Sequence, residues 1–214
     1  MKFGPYSKNL LPRLIITNLE VQSGGGITHL WGKNGVGKSV LMSLILDELV
    51  AKKIPFGYVD QNYRKSWLWW KTGYENLNLI LKTKNTVEFY QREEIKNELI
   101  WLQPLLKETN RQVQFSSQNE FETVGLSGGQ LQRLILFREI LHKPKFLLLD
   151  EAFSALDKKV AEELIDWLII KQKEFKFEII SIVHDKALLE KMGGLVYELS
   201  HNSEKQLILE NYEI

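Results

Sequence analysis

The sequence contains no cysteine. That removes disulfide frameworks, thiolate metal sites and cysteine nucleophiles at once, and nothing in the sequence requires an oxidising compartment. It also lacks a charge bias. Twenty-eight basic and 27 acidic side chains leave a formal net charge of +1, which argues against a nucleic-acid binder built on a basic face. No apolar run reaches the ~18 residues that would span a bilayer, and Met1 to Leu11 has no apolar core of the signal-peptide kind. The expectation is a soluble chain, or one held at a membrane by something else. There are no internal repeats, low-complexity tracts or long linkers. At 214 residues, the length suits one sizeable α/β domain with a small inserted lobe.

The richest stretch is Gly32-Lys33-Asn34-Gly35-Val36-Gly37-Lys38-Ser39. It lies between an apolar β-branched run, Ile27 to Trp31, and a helical repeat that begins at Val40. Two glycines five apart followed by Lys and Ser form the phosphate-loop pattern. Glycines let backbone N–H groups point inward around a phosphate chain, and the following helix adds its positive end. Lys38 would reach the β- and γ-phosphates, and the Ser39 hydroxyl would hold Mg²⁺.

The rest of the chain supplies alternating strands and helices. Leu14 to Ile16 and Ile27 to Trp31 read as strands, with Phe3 and Tyr6 on an irregular stretch before them. Leu41, Leu44, Ile45 and Leu49 give one helical face. Phe56 to Val59 is a short strand with Asp60 and Gln61 at its carboxyl edge. Leu131, Leu134, Ile135 and Leu141 mark another helix. Phe146 to Leu149 is wholly apolar between Pro144 and Asp150, as for a strand buried on both faces. A helix around Val160, Leu164 and Leu168 follows, with Asp157 as N-cap. Phe177 to Val183 is a second buried strand, and the two should pair in parallel. Val196 to Leu199 and Gln206 to Leu209 read as a hairpin. Between these halves, residues 75 to about 122 carry helical periodicity and no strand signature.

Three further places could carry chemistry. Asp150 and Glu151 follow the buried strand, where ligands of open α/β sheets bind. Asp150 can orient Mg²⁺, and Glu151 can accept a proton from the water that attacks the γ-phosphate. Ser127-Gly128-Gly129-Gln130 opens a helix and offers a second anion site, although a Ser cap with two glycines is also ordinary helix capping. His184 ends a buried strand. A lone His there is more often structural, but its neighbours make a γ-phosphate contact possible in principle.

Taken together, GKNGVGKS, YVDQ, LSGGQLQR, FLLLDEAFSALD and SIVHD resemble, in order, the motifs of the nucleotide-binding domain of ATP-binding cassette (ABC) ATPases. The match covers nearly the whole chain. The resemblance implies an α/β P-loop NTPase core with a mostly parallel sheet, a small antiparallel β subdomain and an inserted helical subdomain. The core would be 1–72 and 127–214, and the helical subdomain 73–126. It implies that Gly32, Lys33, Asn34, Gly35, Val36, Gly37, Lys38, Ser39 and Val40 hold ATP, and that Ser39, Gln61 and Asp150 serve Mg²⁺. Lys38, Gln61, Glu151 and His184 would form the catalytic set, with Glu151 as general base. Ser127, Gly128, Gly129 and Gln130 would touch the nucleotide bound by another subunit, with Asp157 at that interface.

The same resemblance implies a homodimer or heterodimer of such domains. It implies a separate membrane-spanning partner and a place at the cytoplasmic face. The alternative within the family is a soluble ATPase acting on DNA or the ribosome; a binding module with little hydrolysis is another, which Glu151 argues against. Compact length without an added C-terminal domain points away from importer subunits that carry a sensor. There are three departures from the family pattern. Gln61 comes only 23 positions after Lys38, so the accessory sheet should be small. The ring that would stack on adenine is Tyr6, or else Phe3. Ala152 replaces a usual proline, which should be tolerated. The cluster Trp67, Trp69 and Trp70 fits either a partner interface or the interior.

Overall fold

The computed structural model describes residues 1–4, 6–8, 14–16, 19–21, 26–68, 76–77, 127–141, 143–202 and 207–212. The expected helical lobe at 73–126 lies almost entirely outside them. Two compact units emerge, Met1–Gln61 with Lys143–Ile214, and Asn62–His142.

The first unit is built on an eight-stranded sheet. Its strands are β2 (Tyr6–Lys8), β3 (Leu14–Ile16), β5 (Ile27–Trp31), β6 (Phe56–Val59), β7 (Phe146–Asp150), β8 (Glu178–Ile182), β9 (Leu195–His201) and β10 (Leu207–Tyr212). Their spatial order is β2-β3-β10-β9-β5-β8-β7-β6. Five of the seven pairings are parallel; β2 with β3 and β9 with β10 are antiparallel. The sheet is thus α/β in the expected sense, with the C-terminal hairpin present as β9 and β10. A separate two-stranded sheet joins β1 (Lys2–Phe3) to β4 (Leu19–Glu20). Phe3 and Tyr6 therefore lie on strands, not on the irregular stretch expected of them. Two- and three-residue strands carry too little alternation to read, and they form because distant segments supply their backbone partners.

Periodicity explains the layers. Flanked by β5 and β6, β7 and β8 are buried at all five positions each. Leu148, Ile180 and Leu30 point to one face, where they meet Leu41, Ile45 and Leu49 from α1 (Lys38–Ala51), together with Phe3 and Leu19. Leu147, Leu149 and Ile179 point the other way and are equally buried. Each such side chain contributes roughly 1.5–3 kcal/mol by leaving water. Phe3 lies edge-on to Phe146 at 5.4 Å, and with no exposed surface it has no face left for an adenine. Between β7 and β8 runs α3 (Lys158–Phe175), started by the Asp157 carboxylate, which accepts from Val160 N at 3.0 Å. A short α4 (Lys186–Met192) lies beside α3, joined to it by Lys191 and Asp166 at 2.7 Å.

The second unit holds a 3-10 turn, Tyr63–Ser66, and α2 (Gly128–Leu141). Arg138 of α2 donates to the Ser66 carbonyl at 2.6 Å and to its hydroxyl at 3.0 Å. The Tyr63 hydroxyl donates to the Gly128 carbonyl at 3.4 Å. Trp67 is 2 % exposed, so this ring of the tryptophan cluster is interior; Trp69 and Trp70 lie outside the described residues.

Candidate nucleotide site

The loop from β5 to α1 is shaped by glycine. Gly32, Gly35 and Gly37 have φ of 142°, 76° and 116°, conformations that side chains rarely adopt. A Cβ on Gly32 would lie 2.5 Å from the Leu199 carbonyl oxygen, whereas one on Gly35 would meet nothing within 4 Å. The first glycine is therefore demanded by packing on β9, and the second, whose Cβ would face open space, by its backbone angle alone. Lys38 bends back over the loop. Its ammonium donates to the carbonyls of Gly32 at 2.8 Å and Lys33 at 3.0 Å. Burial pulls its pKa below the usual lysine value, while the charges of Glu151 and Asp150 oppose that pull. Val36 is buried beneath the loop and Val40 is exposed on α1, while Asn34 is exposed at the loop tip.

One turn into the site, the Ser39 hydroxyl donates to Asp150 Oδ1 at 3.5 Å. Asp150 ends β7 and is 8 % exposed. Burial pushes its carboxyl above the usual range, Glu151 adds to this, and the Ser39 hydroxyl pulls the other way. Glu151 follows with φ of 49°, a strained value for a residue with a Cβ. The strain is held by its own neighbours. Its N–H donates to Ile182 O at 3.1 Å, and the Ser154 N–H and hydroxyl donate to its carbonyl at 3.1 and 2.9 Å.

The Glu151 carboxylate is gripped on both oxygens. Gln61 Nε2 donates to Oε2 at 2.9 Å, and His184 Nε2 approaches Oε1 at 2.6 Å. A ring nitrogen that close to a carboxylate carries the proton, so Nε2 is the donor. Residues 61, 151 and 184 come from the ends of three neighbouring strands, β6, β7 and β8. The parallel register brings them together, as expected of ligand sites at the carboxyl edge.

In the second unit, Ser127 and Gln130 cap α2 reciprocally. Ser127 N donates to Gln130 Oε1 at 2.8 Å, and Gln130 N donates to Ser127 Oγ at 3.2 Å. This is a capping box. Both residues satisfy each other while the first-turn N–H groups of Gly128 and Gly129 lack helical acceptors, as at any helix start. Tyr6 lies on β2, its backbone paired with Ile16.

No motif assigns a role to Tyr58 or Asp60. Tyr58 on β6 pairs with Leu148, and Val59 with Leu149. Side chains alternate, so Tyr58, Asp60 and Asp150 share one face, which the strand period alone indicates. His29, fully buried on β5, is likewise marked by no motif.

A glycine-shaped phosphate loop after β5, a lysine folded over it and two acids at the end of β7, on a mostly parallel sheet, define a P-loop nucleotide-binding fold. The chain belongs to the ABC transporter family, whose pattern matches residues 16–154. It is 32 % identical over 177 residues to the sulfate/thiosulfate import ATP-binding protein CysA of Mannheimia succiniciproducens, covering 75 % of this chain and 47 % of that protein. It is 31 % identical over 186 residues to the spermidine/putrescine import ATP-binding protein PotA of Haemophilus ducreyi, covering 79 % and 46 %. The chain thus spans about half the length of the curated relatives it matches. Among solved structures, CbiO1 of Clostridium perfringens, part of the ABC transporter complex CbiONQ, shares the fold with a TM-score of 0.70 and 22 % identity over 98 % of this chain and 87 % of that one.

Proposed function

We propose that this chain binds and hydrolyses ATP as the nucleotide-binding part of an ABC transporter, closing with a second such domain around Mg-ATP to drive a membrane-spanning partner. The observation that carries the reading is the double grip on Glu151, one residue beyond Asp150 and on the same strand edge as the phosphate loop. A carboxylate held this way has a fixed direction, as a general base needs.

The loop 32–39, with Val40, would bind the triphosphate through backbone N–H groups and Lys38. ATP would draw the Lys38 ammonium off the Gly32 and Lys33 carbonyls, exchanging neutral acceptors for charged oxygens. The Ser39 hydroxyl, the Asp150 carboxylate and Gln61 are hard oxygen donors, which suits Mg²⁺. Among the described residues no group of three His, Cys, Asp or Glu could enclose a metal. Bound there, Mg²⁺ would neutralise charge on the β- and γ-phosphate oxygens.

The catalytic step asks three things of the protein. Glu151 takes a proton from the attacking water. As the water oxygen bonds to the γ-phosphorus, the bond to the β–γ bridging oxygen breaks and ADP leaves. His184 holds Glu151 on one side and reaches toward the γ-phosphate; Gln61 holds it on the other. Ser127 to Gln130 would contact the nucleotide of the second domain, a further copy or a related chain, and Tyr6 would stack on adenine.

Two features favour transport over an ATPase acting on DNA or the ribosome. Both named relatives are import proteins. The net charge of +1 offers no general attraction to nucleic acid. No helix among the described residues is long and apolar enough to cross a membrane. In Glu151→Gln, ATP binding should persist while phosphate release falls roughly 10²–10⁴-fold. Equilibrium binding and a phosphate assay check this; hydrolysis near the parent rate would remove Glu151 as base. Salt-sensitive retention on DNA or ribosomes would instead favour the other reading.

A further inference from the structure

None of the chain's family motifs contains Arg138, Ser66 or Tyr63, yet together they hold the turn that follows Gln61. Arg138 is buried on α2. Its Nη1 donates to the Ser66 carbonyl at 2.6 Å, and its Nη2 donates to the Ser66 hydroxyl at 3.0 Å. Glu139 Oε1 accepts from Nε at 3.0 Å and lies 2.9 Å from Nη2, so the buried charge has its counterion beside it. The proton of the Ser66 hydroxyl goes to the Tyr63 carbonyl at 2.8 Å, which leaves that oxygen able to accept from Arg138. The Tyr63 hydroxyl reaches the start of the same helix, donating to Gly128 O at 3.4 Å. All of these residues belong to one unit. A planar guanidinium meets a carbonyl, a hydroxyl and a carboxylate at once, where a lysine ammonium offers a single point of charge. Beyond the turn, the buried Asn76 amide brackets Leu68, accepting from its N–H at 2.9 Å and donating to its carbonyl at 3.0 Å. On the other side of Gln61, β6 ends at Val59, which is buried and paired with Leu149. Gln61 is thus the middle residue of the span 60–62 between two anchored segments, and its amide is one of the two groups that hold Glu151.

We propose that Arg138 is a positioning residue for the general base: it clamps the turn Tyr63–Ser66 to α2, fixes the backbone from which Gln61 reaches out, and so sets how Gln61 aims the Glu151 carboxylate. This rests on the functional reading above and deepens it at the same site. Arg138 acts through Gln61 and not on the nucleotide. Gln61 is exposed, so its side chain has rotamer freedom to lose when it holds Glu151. A turn that wanders moves the backbone from which that side chain starts. A shift of about 1 Å made away from the chemistry can lower a rate by up to about 10²-fold. ATP binding does not depend on this placement, because the loop 32–39 and Lys38 carry the triphosphate.

The test measures steady-state phosphate release by the full chain at varied Mg-ATP. Arg138→Lys keeps a positive charge beside Glu139 and removes the fork. It should lower kcat about tenfold and leave KM within about twofold of the parent's. Ser66→Ala, which keeps the carbonyl contact, should lower kcat in the same way and by less. In a Gln61→Ala background, Arg138→Lys should lower kcat no further, because the residue it positions has lost its amide. Urea midpoints are read beside the rates; should Arg138→Lys fail to fold, the same comparisons are made with Ser66→Ala. A parental kcat in Arg138→Lys overturns the inference. So does a loss that recurs undiminished in the Gln61→Ala background, since the arginine then supports the fold and not Gln61. So does a fall in activity that lies wholly in a raised KM, since nucleotide binding is then what the clamp serves. A parent that neither binds nor hydrolyses ATP removes the functional reading, and this inference with it; a parent that hydrolyses, beside an indifferent Arg138→Lys, removes this inference alone.

Discussion

His29 is a buried side chain with both ring nitrogens occupied. It is fully buried on β5, with Nδ1 2.6 Å from the Ser181 hydroxyl and Nε2 2.8 Å from the Gly193 carbonyl. A carbonyl only accepts, so Nε2 carries the proton and Nδ1 accepts from Ser181. One neutral tautomer satisfies every partner, and a second proton would break the Ser181 contact. Burial lowers its pKa, with the Gly193 carbonyl opposing weakly. Between the lowered folded value and the ordinary value of about 6.5, the unfolded chain holds a proton that the native chain refuses. Unfolding then takes up protons, so stability rises with pH across that window and is flat above it. Urea midpoints measured from pH 4.5 to 7.5 should show His29→Gln less stable than the parent at pH 7.5, by about 1–3 kcal/mol for a disturbed buried pair. The gap should narrow as the pH falls through the window. Parallel curves would mean that His29 does not titrate on unfolding.

At the level of elements, α3 shows which parts of the fold could be read in advance. Ala161, Leu164, Ile165 and Leu168 recur on one buried face, and Asp157 closes the first turn as its sequence position suggested. The all-apolar β7 and β8 were equally plain, because burial on both faces leaves no room for alternation. The pairing of β10 with β3 was not legible, since it joins Leu207 to Leu14 across most of the chain and depends on register. For the same reason the motifs named Gln61, Glu151 and His184, but their contacts came only with the strand order. For α3 the cap gives a direct measure. Asp157→Ala should cost about 1 kcal/mol, read as a lower denaturation midpoint with an unchanged slope. A midpoint equal to the parent's would show that another group satisfies the Val160 N–H.

For the whole molecule, the capped turn at Ser127 sets the decisive question, because it lies in a different unit from the phosphate loop. A helix start whose N–H groups lack helical acceptors is an anion site, and the family resemblance assigns the anion to another copy's nucleotide. Two copies related by a two-fold axis would then each lend a loop and a turn, giving two equal sites in a closed pair. A net charge of +1 adds little repulsion between copies, so the terminal phosphates can dominate the balance. Glu151→Gln with Mg-ATP should therefore sediment at twice the monomer mass and return to monomer with ADP. The arrangement of the sites makes a sharper prediction. Lys38→Ala should lose the phosphate grip of its own loop, and Ser127→Arg should block its own turn, so neither should hydrolyse ATP alone. Mixed, they leave one site whose loop comes from the Ser127→Arg chain and whose turn comes from the Lys38→Ala chain, both intact. Hydrolysis in the mixture should therefore rise well above the sum of the two separate preparations. A mixture no more active than that sum, together with a monomeric Glu151→Gln in ATP, would mean that the loop and the turn of two copies never share a phosphate.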